Sequence, residues 1–135
     1  MNLQLTSTKA DSLALIENEV GHESQDGFGL DFGCAFKSEA SNTFKVFFKT
    51  SVDVCSTGSE IPTHKLNVEY SAFFELDEDV NQEFMDSMFP KVNAPAIAYP
   101  YLRAFISTIL LNAGYDPVIL PSINFQAIAN KSLQV

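Results

Sequence analysis

His64-Lys-Leu-Asn-Val-Glu-Tyr-Ser-Ala-Phe-Phe-Glu-Leu76 runs straight into Asp77-Glu-Asp-Val-Asn-Gln-Glu-Phe-Met-Asp-Ser-Met88, and the fold turns on the change of period between the two. In the first stretch Leu66, Val68, Tyr70, Ala72, Phe74 and Leu76 recur at every second residue, with Lys65, Asn67, Glu69, Ser71 and Glu75 between them. That is the period of a strand with one buried face. In the second, Val80, Phe84 and Met88 recur at every fourth, the stripe of an amphipathic helix. Asp79, with Gln82 three residues on, is expected to cap this helix, and Pro90 to end it.

Upstream, the period of two continues. Phe44, Val46, Phe48, Val52 and Val54 alternate with Lys45, Lys49, Ser51 and Asp53. Phe28, Leu30, Phe32, Cys34 and Phe36 alternate with Gly29, Asp31, Gly33 and Ala35, giving one large-aromatic face and one nearly bare one. Phe47 and Phe73 break the rule by falling on the polar face. Leu3 and Leu5, then Leu13, Leu15 and Ile16, make a first strand whose phase slips near Ala10, as a β-bulge would cause. Residues 21 to 27 read as a polar loop.

Downstream, residues 90 to 99 read as a proline-punctuated connection. Pro100 suits the first position of a main helix, with Leu102, Phe105, Ile106, Ile109, Leu110 and Ala113 as its apolar stripe and Gly114 as its stop. Arg103, the single arginine, stands near that expected start and needs a carboxylate partner there. Pro117 to Pro121 is an extended apolar loop, and Asn124 caps a short helix from Phe125 to Asn130. The expected class is α+β: a four-stranded antiparallel sheet followed by a broken long helix and a short C-terminal helix. One domain covers 1–135, with the sheet over about 3–77 and the helices over about 80–130.

The composition limits function. Seventeen acidic against eight basic side chains leave a net charge of −9, which disfavours nucleic acid and anionic membranes as partners. No basic, apolar leader opens the chain and no uninterrupted apolar run spans a bilayer, so a cytoplasmic protein without membrane insertion is expected. Cys34 and Cys55 lack metal or redox spacing and are expected to stay reduced. No phosphate loop or nucleophile motif appears, and His22 and His64 stand apart. No catalytic residue, metal or cofactor is therefore expected. Twelve Phe and four Tyr on so acidic a chain suit a protein that offers apolar area while staying soluble.

Tyr99-Pro100-Tyr101-Leu102-Arg103, the helix ending near Gly114, and Pro121-Ser-Ile-Asn124-Phe125 together resemble the C-terminal half of the SecB family of protein-export chaperones. The resemblance implies a homotetramer, a dimer of dimers with helices between two eight-stranded sheets. It implies an ATP-independent holdase that keeps unfolded or precursor polypeptides extended for SecA-dependent export. Tyr101 and Phe125 match family positions lining a peptide groove, to which the apolar character of their surroundings adds Tyr115, Val118, Leu120 and Ile128. The resemblance also places a SecA contact on the outward sheet face, with Glu69, Glu75 and Asp11 as the candidates. Ala129 stands where the family usually has an aromatic, and the chain ends at Val135 where better-known members carry a tail. That brings in a SecB-like chaperone dedicated to an antitoxin or other specific client. Outside the family, the alternative is a small-ligand-binding α+β domain.

Overall fold

Leu3–Glu17 (β1), Phe28–Phe36 (β2), Thr43–Val54 (β3) and His64–Leu76 (β4) form one sheet in the order β1-β4-β3-β2, every neighbour antiparallel. This computed structural model describes residues 2–19 and 27–132, so the expected loop at 21 to 27, with His22, lies almost wholly outside the described residues. β1 and β2 are consecutive in the chain yet occupy the two opposite edges. The pairing of β1 with β4 shifts between Ala10 and Ser12, where the phase slip was expected, and again between Leu5 and Ser7.

The core is the face that the alternation selects. Every inward side chain of β3 and β4 from Phe44 to Val54 and from Leu66 to Leu76 is buried, Thr50 among them, its hydroxyl donating to the Gly29 carbonyl at 2.8 Å. Stacked rings carry this layer across the strands: Phe36 on Phe44 at 5.6 Å and Phe44 on Phe74 at 5.3 Å, with Phe84 closing edge-on at 5.3 Å. Each such ring contributes roughly 1.5–3 kcal/mol by leaving water.

The helical half departs from expectation at its start. Asp79 does not cap α1 (Gln82–Asp86); Asn81 does, its Oδ1 accepting from the Phe84 amide at 2.8 Å. Capping needs the side chain next to the first free N–H groups, and Asp79 lies two residues too early. Pro90 does not end a helix but stands in the first turn of a π-helical segment, Phe89–Asn93, which leads directly into α2 (Ala94–Ala113). Residues 90 to 99 are thus helical rather than a connection, and Pro100 lies inside α2. Proline removes one helical donor, a small cost where the freed carbonyl faces water, and Pro100 is exposed.

Two expectations change with it. Arg103 is in mid-helix, 5.9 Å from the Tyr99 ring centroid, and has no carboxylate partner among the described residues. Phe89–Ala113 is a continuous helical run of 25 residues, long and apolar enough by length and composition to cross a membrane, which the supposed break at 90–99 had concealed. Here it lays Ala94, Ala98, Tyr99, Leu102, Ile106 and Leu110 into the core, with Phe105 against Tyr70 at 5.3 Å. Gly114 stops α2 as expected, with φ of 93° in the left-handed region that favours glycine. Asn124 caps α3 (Phe125–Ser132) through the Ala127 amide at 3.0 Å.

Candidate functional site

An apolar concavity lies along the edge strand β2. Five consecutive residues of that strand, Leu30, Asp31, Phe32, Gly33 and Cys34, form one wall. Met88, Pro90 and Lys91 from the π-helical turn form a second, and Ile128 and Ala129 of α3 close the third, around about 470 Å³. Residues from both faces of β2 line it, so the groove opens on the strand edge, where one row of backbone groups has no strand beside it among the described residues. Phe32 is fixed from behind by Phe125, edge to face at 4.9 Å, and Phe125 meets Tyr99 at 5.6 Å. Burial raises the Cys34 thiol above its ordinary pKa, with Lys91 opposing in part. The wall is therefore largely apolar, bordered by Asp31 and Lys91, and backed by the Phe125 and Tyr99 rings.

The six expected groove residues do not share one surface. Ile128 lines this groove and Phe125 supports it while itself only 3% exposed. Leu120, 1% exposed, and Val118 belong to the loop beside α2, pinned there by Tyr99 Oη donating to the Pro121 carbonyl at 2.7 Å and Ser107 Oγ to the Val118 carbonyl at 3.1 Å. Tyr101 is 51% exposed on the outward side of α2. Tyr115 is tied to the β3–β4 hairpin through its bridge to Ser56 and its ring against His64 at 5.0 Å. Leu30, Phe32, Met88 and Pro90 were missed. Their signal was the contrast between the aromatic and bare sides of β2, which marks an edge strand with something laid along it.

The three acidic candidates are all exposed, on or beside the outward sheet face. Glu69 stands beside Lys49 in register; Glu75 accepts from Asn42 Nδ2 at 3.3 Å; Asp11 accepts from the Ser71 hydroxyl. Cys34 and Cys55 are both free thiols. Among the described residues no group of three His, Cys, Asp or Glu is placed to hold a metal.

Comparison with known proteins agrees with this architecture. The family described as Preprotein translocase subunit SecB matches residues 16–135. An uncharacterized protein of Methanocaldococcus jannaschii is 32% identical over 115 residues, 83% of this chain and 72% of that protein. The protein-export protein SecB of Magnetococcus marinus is 29% identical over 133 residues, 98% of this chain and 79% of that one. The fold is shared with a Mycobacterium tuberculosis SecB-like chaperone solved in complex with a ChAD peptide from an antitoxin, at a TM-score of 0.60 and 15% identity over 90% of both chains. With the family model matched over residues 16–135, protein-export SecB proteins among its relatives, and an antiparallel sheet followed by a long and a short helix, the chain belongs to the SecB family.

Proposed function

We propose that the protein is an ATP-independent holdase that seats unfolded or precursor segments in the groove along β2 and keeps them competent for export, in the cytoplasm. The observation that carries this reading is the open, apolar groove at a strand edge, walled by Leu30, Phe32, Met88, Pro90 and Ile128. An extended client segment gives such a wall side chains to bury and gives the β2 edge a backbone to pair with. The antitoxin-peptide complex of the mycobacterial relative supports peptide binding as the shared activity. Ile128→Glu with Met88→Glu, the first at an exposed position and the second at a partly buried one, abolishes protection of an aggregating acceptor while the melting curve is retained; full protection by this variant contradicts the groove.

The active form is a homotetramer, a dimer of dimers. Ile97, Tyr101 and Leu111 leave an apolar stripe on the outward side of α2 that no other described residue covers, and β1 offers Leu13 and Ile16 at the second sheet edge. Sedimentation at micromolar concentration gives the tetramer mass; a monomer mass contradicts it. Handover to SecA uses outward carboxylates, chiefly Glu69, which remains exposed. Glu69→Lys with Glu75→Lys weakens SecA binding at low salt, and unchanged affinity removes this contact.

A further inference from the structure

The outward face of the sheet is not the acidic surface that a net charge of −9 suggests. Cross-strand register sets its rows. Lys9, Ser71, Phe47 and Gly33 follow one another across the four strands, and Ser7, Phe73, Lys45 and Ala35 form the neighbouring row. Lys37 follows directly on β2 at the same end. Lys9, Lys37 and Lys45 make no hydrogen bond or ion pair with another described residue. Of the nearby carboxylates, Asp11 accepts from Ser71 and Glu75 from Asn42, and Asp31 stands across from Lys49 in register. In a chain where acids outnumber bases by two to one, three unpaired cations on one patch are a departure.

Between them lie two aromatics where alternation calls for polar side chains. Phe47 is 41% exposed and lies over Gly33, where a Cβ would come within 2.7 Å of its ring. Phe73 lines, with Thr6, Ser7, Ala35, Lys37 and Lys45, a concavity of about 540 Å³. Gly33 lets the Phe47 ring lie flat on the strand, and Ala35, with only a methyl, leaves the shelf open beside Lys45 and Phe73.

We infer that this patch docks a short acidic segment of a partner protein, extended across the strands, with an apolar side chain on Phe47 or Phe73 and carboxylates on Lys9, Lys37 and Lys45. Three inter-strand spacings, roughly 14 Å, match about four extended residues. Charge complementarity selects the occupant: the lysines attract carboxylates locally, whereas long polyanions and anionic membranes meet the repulsion of the whole chain. The site lies on the opposite face of the sheet from the core and meets the client groove only at Gly33, which borders both.

The test uses the full chain and a short fluorescent peptide alternating glutamate with phenylalanine, beside its lysine counterpart. The glutamate peptide binds at low salt, weakens steeply toward about 1 M salt, where the screening length is roughly 3 Å, and is not displaced by an unfolded protein. Lys37→Glu with Lys45→Glu loses about tenfold or more in affinity, and the milder Lys37→Gln with Lys45→Gln loses roughly 3- to 10-fold with an unchanged melting curve. Absence of binding by the parent, equal binding of the lysine peptide, or unchanged affinity in the glutamine variant overturns the assignment. Displacement by an unfolded protein would put the peptide in the β2 groove instead. A change of protein mass on Lys45 substitution would make the occupant a second copy of this chain.

Discussion

The two faces of one sheet follow the same alternation and are put to different uses. On the inward face of β3 and β4, eleven apolar side chains and Thr50 are buried, and stacked rings run from Phe36 through Phe44 to Phe74. On the outward face the same strands show Lys45, Phe47, Lys49, Glu69 and Glu75, with Phe47 lying across a glycine rather than inside a core. The first face stabilises through area removed from water; the second has little of that to lose. Stability and recognition are thereby separated by a half-turn of each strand, so a substitution can address one and leave the other.

The largest expected effect lies on the inward side. Phe74→Ala, at a position with no exposure, lowers stability by about 3–5 kcal/mol in chemical denaturation, whereas Lys49→Ala stays within about 0.5 kcal/mol. Comparable costs at the two positions would break the separation. Next comes a place where the outward face is tightly packed: Gly33→Ala forces the exposed Phe47 ring aside and costs about 1 kcal/mol, and a double-mutant cycle with Phe47→Ala recovers most of it. Additive costs would show that Phe47 is not held on Gly33. Tyr99→Phe removes the hydrogen bond to the Pro121 carbonyl and costs about 1 kcal/mol by thermal melting, through release of the loop along α2. The smallest is Ser71→Ala, which frees the exposed Asp11 carboxylate and costs under about 1 kcal/mol, since that carboxylate can turn to water.

The sheet was legible because period two leaves little choice: once Leu66, Val68 and Tyr70 face inward, Glu69 and Glu75 must face out. The bulge near Ala10 was legible for the same reason, since a bulge is a phase error. The helical half was not, because proline reads as punctuation. Pro90, Pro95 and Pro100 each sit where a missing N–H costs little, in a first turn or on an exposed side, and so the run from Phe89 to Ala113 continues through all three. Losing that helix misplaced Arg103 and scattered the groove assignment. The C-terminal motif drew notice to Phe125 and Ile128, but the wall facing them comes from β2 and from Met88 and Pro90, some forty to a hundred residues away. Sequence spacing carries no trace of such a meeting, and the strand order β1-β4-β3-β2, which leaves β2 at an edge, is what allows it.

Cys34 offers the most direct test of the groove, because it lies in the wall while Cys55 lies outside it. Burial holds its thiol above the usual pKa, so labelling by a small alkylating reagent quickens as the pH rises through and beyond the ordinary thiol range. In that range, a saturating, permanently unfolded client is predicted to slow labelling of Cys34 about tenfold or more and to leave Cys55 unchanged. Equal labelling of Cys34 with and without client, at concentrations where the client is bound, would contradict the groove along β2 as its seat.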